Sequence, residues 1–256
     1  MSPQSLLSVA GLSMRFGGLL AVDQVAFDVR PGEVFAIIGP NGAGKTTVFN
    51  CVSGFYRPTG GCIALDAEAI TGLPSHRIAQ RGLVRTFQNI RLFKSLSVLE
   101  NLLVAQHQQV QAGLWPGLFA TRKYRRAEQQ AIEHAALWLD RVGLREVANR
   151  EASALSYGQQ RRLEIARCMI TRPRLLLLDE PAAGLNPQET LELEYLIDAL
   201  RREHGVSVLL IEHDMGLVMS VSDRILVMEN GCPIMTGTPG QVRDDPRVIK
   251  AYLGEE

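Results

Sequence analysis

Residues 39–47 read GPNGAGKTT, and three glycines, a lysine and two threonines in nine positions are poor material for a core. The stretch satisfies G-x-x-x-x-G-K-[ST], with the apolar run FAII before it and a helical pattern, TTVFNCV, after it. Gly39, Gly42 and Gly44 allow a tight turn, so that the N–H groups of a loop through Pro40, Asn41 and Ala43 point inward at an anion. A helix N-terminus behind them favours negative charge, and phosphate is the natural guest. Lys45 would reach the outer phosphates, and the hydroxyl of Thr46, with Thr47 beside it, would complete part of a Mg²⁺ shell. The competing explanation, a chance glycine loop ending a strand, has to account for both flanking elements. A nucleoside triphosphate is the expected ligand.

Binding phosphate does not hydrolyse it, and further groups are needed. LLLLDEP, residues 175–181, is an apolar run that stops at two carboxylates. Asp179 at a strand tip suits holding Mg²⁺, and Glu180 next to it can orient or deprotonate an attacking water. Solvated acids ending a strand are common in isolation; a phosphate cradle in the same chain shifts the reading towards chemistry. His213 follows another apolar run in VSVLLIEHD, where a parallel sheet presents its ligand-binding edge. A lone histidine there could be structural, or could contact a γ-phosphate or hold the water.

The elements that must position these groups form an α/β pattern. Val-, Ile- and Leu-rich runs at 34–38, 175–178, 208–211 and 225–228 alternate with helical periodicities, as in a largely parallel central sheet. Turn-punctuated pieces at 6–9, 26–29 and 62–65 predict antiparallel strands beside it. Between about 89 and 155 helix signals replace strands. Ser97 with Glu100 reads as a capping box, and Ile132, Ala135, Leu139 and Val142 recur at helical spacing before Gly143. Ser156 with Gln159 opens a further capped helix. Residues 106–126 have no clean period and read as an irregular surface loop. The expected arrangement is one domain over 1–256, with an α/β core and β subdomain from 1–88 and 156–256 and a helical subdomain at about 89–155.

Composition narrows the function. The 27 Lys+Arg balance 27 Asp+Glu, so bulk charge offers nothing to nucleic acid. Cys51, Cys62, Cys168 and Cys232 lie far apart without a C-x-x-C pair, which argues against a zinc site or disulfide framework. No apolar run approaches the roughly 18 residues of a membrane span, so a soluble chain is expected, with any membrane role exercised through a partner.

LSYGQQRRLEIARCM, from Leu155, joins GPNGAGKTT, LLLLDEP and His213 in an order that resembles the ATP-binding cassette (ABC) ATPases. The resemblance implies a P-loop NTPase fold with mixed central sheet, antiparallel β subdomain and inserted helical subdomain, and MgATP as the nucleotide. It implies that Phe16 stacks on adenine and that Gln88 in TFQNIRLF serves Mg²⁺ and the attacking water together with Thr46, Asp179, Glu180 and His213. It further implies that two cassettes meet head to tail, Ser156, Gly158 and Gln159 of one completing the site of the other, and that residues 89–93 dock a membrane partner. The sequence departs from the family pattern at Phe16 (usually Tyr), Tyr157 (usually Gly) and Asn186 (usually Asp, in the D-loop AGLN), and none of these removes a catalytic group.

At finer grain, GLSMRFGGLLAVD, VAQHQQ, DEPAAGLNP, LIEHDMGLVM and AYLGEE resemble the LivG-type cassettes of branched-chain amino acid importers. That implies a peripheral subunit at the cytoplasmic face of the inner membrane, powering uptake of leucine, isoleucine and valine. Its implied partners are a LivF-type second cassette, two membrane permease subunits and a periplasmic amino-acid-binding protein. Urea importers and lipopolysaccharide exporters use similar cassettes and are the alternatives. Soluble ABC proteins of translation or repair generally carry two cassettes or a long coiled coil, which this chain lacks.

Overall fold

The computed structural model describes residues 5–106 and 122–253. It divides into two compact units, Met1–Gln88 with Arg174–Glu256, and Asn89–Pro173.

The first unit holds two sheets. In one, β1 (Leu7–Phe16), β2 (Leu19–Val29), β4 (Gly60–Leu65) and β5 (Glu68–Ala69) lie antiparallel in the order β2-β1-β4-β5. The other is mixed and six-stranded, ordered β10-β9-β3-β8-β7-β6, from β3 (Val34–Ile38), β6 (Leu83–Arg85), β7 (Leu175–Asp179), β8 (Ser207–Ile211), β9 (Arg224–Glu229) and β10 (Cys232–Gly237). Every residue of β3, β7 and β8 is buried, which is why these strands read as apolar runs rather than alternations. Their parallel pairing, Val34 opposite Val208 and Leu177 opposite Leu209, brings their C-terminal ends to one edge. The loops that leave that edge carry residues 39–44, 180 and 213. Among the described strands of this sheet only β10 runs antiparallel, turning back from β9 through Asn230 and Gly231, both at positive φ as a type I′ hairpin requires. A shared core of Leu12, Val22, Phe35, Phe49 and Ile63, with Phe27 stacked on Phe35 at 5.3 Å, ties the two sheets together. Helices α1 (Lys45–Val52) and α2 (Ser75–Gln80) follow their strands in this unit.

In the second unit α3 (Val98–Gln106) begins at the expected capping box: Ser97 N–H donates to Glu100 at 2.7 Å and Glu100 N–H to Ser97 Oγ at 3.1 Å. α4 (Arg122–Arg141) buries Ala135, Trp138 and Leu139, and Gly143 follows at φ 66. Its first turns occupy part of the stretch expected to be an irregular loop. Polar, strongly helix-forming residues such as Arg125, Arg126 and Glu128 sustain a helix without the apolar period that a pattern search needs. Residues 107–121, the rest of that expected loop, lie outside the described residues. α5 (Tyr157–Met169) starts from Ser156, whose side chain completes a reciprocal box with Gln159. The compact unit runs through α5 to Pro173, past the expected end of the helical subdomain at about 155. A capped helix beginning at 156 looks like a return to the α/β core, and only packing shows which unit it completes.

Beyond β7, α6 (Pro187–His204) is capped by Asn186 in a box with Glu189 and ends at Gly205 in the left-handed region. α7 (Met215–Val221), α8 (Pro239–Asp244) and α9 (Pro246–Leu253) complete the first unit. No described helix is long and apolar enough to cross a membrane.

Candidate active site

The cradle between β3 and α1 is built so that only glycine fits at its ends. Gly39 has φ 150, and a Cβ there would lie 2.0 Å from the carbonyl oxygen of Met228; Gly44 has φ 93, with a Cβ 2.6 Å from the carbonyl of Ala21. No side chain caps α1, so its first N–H groups face the loop, with the helix dipole behind them. Lys45 is buried and its ammonium donates to the carbonyls of Gly39 at 2.7 Å and Pro40 at 3.0 Å. Burial holds its pKa below the usual lysine value, with the charge of Glu180 opposing that shift. Asn41, Gly42, Ala43, Gly44, Thr46 and Thr47 line a cavity of about 420 Å³, and Glu180 and His213 line it too.

Glu180 is the hub of the catalytic candidates. It sits one residue past β7 at φ 46, a left-handed conformation that a non-glycine residue keeps only where its surroundings enforce it. Gln88 Nε2 donates to one of its oxygens at 2.9 Å, and His213 Nε2 lies 3.1 Å from the other. Two residues distant in sequence, Gln88 and His213, thus converge on one carboxylate beside the cradle.

Asp179 is buried at the end of β7, where Arg85 donates to its Oδ2 at 2.6 Å. The same guanidinium donates to Asn50 at 2.7 Å and Ser53 at 2.9 Å and lies over the rings of Phe49, Phe55 and Phe87. Sequence reasoning missed Arg85; the available signal was a cation closing an apolar strand three residues before Gln88. It also missed Glu212, a buried acid next to His213.

The remaining candidates are spread more widely. Phe16 is exposed at the end of β1, edge-on to Tyr56 at 5.4 Å. Ser156, Gly158 and Gln159 form the first turn of α5 in the second unit, where Gly158 is buried. Tyr157 packs on its own helix, its hydroxyl accepting from Arg161 at 3.3 Å. Asn186, read as a departure in the D-loop, is a helix cap, accepting from Glu189 N–H at 3.0 Å. In α9, the Tyr252 hydroxyl meets the backbone of Gly39, and burial pushes its pKa up against that hydrogen bond.

A mixed β-sheet whose parallel strands carry, at their C-terminal edge, a glycine cradle, a buried lysine and a carboxylate held by histidine and glutamine defines a nucleotide-binding P-loop ATPase. The ABC transporter family model matches residues 22–183, and the model for branched-chain amino acid ATP-binding cassette transporters matches 232–256; this chain belongs to the ABC transporter ATP-binding family. It is 64% identical over 250 residues to the high-affinity branched-chain amino acid transport ATP-binding protein BraF of Pseudomonas aeruginosa, covering 98% of each chain. To LivG of Escherichia coli K12, of the same description, it is 61% identical over 252 residues, covering 98% of this chain and 99% of that one. The crystal structure of the ADP conformation of MJ1267, an ATP-binding cassette of an ABC transporter, superposes with a TM-score of 0.85 at 32% identity, over 98% of this chain and 99% of the other.

Proposed function

We propose that this chain hydrolyses MgATP to drive uptake of branched-chain amino acids through membrane permease subunits. The observation that carries the mechanism is the Glu180 carboxylate held between Gln88 and His213 at the mouth of the cradle. Phosphate oxygens entering the loop accept from its N–H groups and from Lys45, which exchanges carbonyl partners for anionic ones and gains charge-assisted hydrogen bonds. The Thr46 hydroxyl, the Asp179 carboxylate and the Gln88 amide oxygen are hard oxygen donors of the kind Mg²⁺ takes. Bound there, the ion would neutralise charge building on the β- and γ-phosphate oxygens.

Glu180 accepts a proton from the attacking water as the new O–P bond forms and the bond to the β-phosphate oxygen breaks, giving ADP and phosphate. His213 and Gln88 orient that carboxylate and the water. Phe16, with its ring exposed, stacks on adenine. The Ser156 hydroxyl accepts from Gln159 and keeps its own O–H to donate to the γ-phosphate held by a facing LivF-type cassette, with Gly158 and Gln159 beside it. Losing the γ-phosphate removes part of that bridge and lets the pair open. The chain would work at the cytoplasmic face of the inner membrane, with two permease subunits and a periplasmic amino-acid-binding protein.

Glu180→Gln tests the chemistry. Turnover is expected to fall by at least about a hundredfold while ATP affinity stays within about twofold, because the cradle is untouched. Full turnover in that variant would remove Glu180 from the reaction.

A further inference from the structure

Glu212 is a buried carboxylate that the scheme above does not use, and it is only 3% exposed. At that depth its lone pairs need donors. Oε1 accepts from Ala182 N–H at 2.6 Å, and Oε2 accepts from His213 N–H at 2.7 Å and Asp214 N–H at 3.2 Å. All three donors are backbone amides, and they belong to two different loops. Ala182 lies in the turn after β7 that carries Glu180; His213 and Asp214 lie in the loop after β8.

The ladder between these strands ends where Asp179 faces Ile211 and Glu180 N–H donates to the Ile211 carbonyl at 2.9 Å. Beyond that point the Glu212 side chain carries the link onward, by short charge-assisted bonds rather than by strand pairing. The Glu180 turn is closed on its own side by Ala183 N–H donating to the Glu180 carbonyl at 3.2 Å. Two reacting side chains 3.1 Å apart therefore stand on separate loops whose backbones share one carboxylate.

We infer that Glu212 is a positioning residue for hydrolysis: its carboxylate locks the Glu180 turn to the His213 loop and so fixes the spacing of the two groups that handle the attacking water. The inference rests on the roles proposed for Glu180 and His213. Any displacement of one loop then shifts the backbone of the other. Glutamine has one acceptor oxygen, so in Glu212→Gln the amide nitrogen faces a backbone donor on one side and releases that loop. Glu212→Asp keeps the charge and both oxygens but is a methylene too short to span the two loops.

The test is steady-state ATPase of the assembled transporter carrying Glu212→Gln, with Glu212→Asp as the second variant if the first does not fold. We expect kcat to fall about tenfold or more while the KM for ATP stays within about twofold, since misplacement by an ångström can cost about a hundredfold. Introduced into a His213→Ala background, the same change is expected to add less than about twofold, because its route of action is already gone. Wild-type kcat in the folded Glu212 variant, a raised KM with unchanged kcat, or an undiminished loss in the His213→Ala background would each overturn the inference. Glu180→Gln measured alongside separates the two levels. Turnover surviving there defeats the site assignment, whereas turnover lost there and kept in the Glu212 variant defeats only the positioning role.

Discussion

Lys45 stands where function and stability pull apart. Burial lowers its pKa from 10.5, so the unfolded chain binds that proton more tightly than the folded one. The group therefore subtracts from stability at neutral pH, and the penalty fades as pH rises from the folded pKa towards 10.5. Lys45→Met keeps the stem and removes the charge. It should abolish nucleotide binding yet leave the melting temperature of the nucleotide-free protein at pH 7 unchanged or higher, the gain shrinking as the pH is raised; a lower midpoint would contradict this. Arg85 is the opposite case. Its side chain and that of Asp179 are 7% and 5% exposed, and truncating one partner strands the other charge. Arg85→Met should cost about 3–5 kcal/mol in urea unfolding. The motif residues of the cradle, with Glu180 and His213, were legible because each marks the end of a strand or the start of a helix. Arg85 and Glu212 were not, because the contacts that single them out, to Asp179 and to Ala182 N–H, span 94 and 30 residues, and no local pattern announces such a contact.

At the scale of elements, capping chemistry was the most readable feature. The boxes at Ser97 and Ser156 stand where the sequence placed them, since side chain and backbone three residues apart suffice to form them. The start of α4 was hidden because its first turns are polar and present no stripe. Asn186 shows a motif comparison misdirecting attention: it departs from the family's aspartate, but its local duty is to cap α6. Asparagine and aspartate cap equally well, so Asn186→Asp should change stability by less than about 0.5 kcal/mol, whereas Asn186→Ala should lose about 1 kcal/mol in thermal or urea unfolding. Equal losses in both would mean that the cap does not explain the residue.

For the whole molecule, the apolar runs of β3, β7 and β8 foretold a parallel sheet, and parallel pairing collects the ends of three distant segments at one edge. That arrangement gathers residues 39–47, 179–180 and 213 at the edge where the proposed site lies. The extent of the second unit, to Pro173, was not legible, because a helix's allegiance is decided by what it packs against. The most direct measurement is uptake of labelled leucine in source cells lacking other leucine transporters, with the native copy replaced by Lys45→Ala and proline uptake as control. Leucine uptake should fall to background with proline uptake unchanged. Undiminished leucine uptake would contradict the assignment to branched-chain amino acid import.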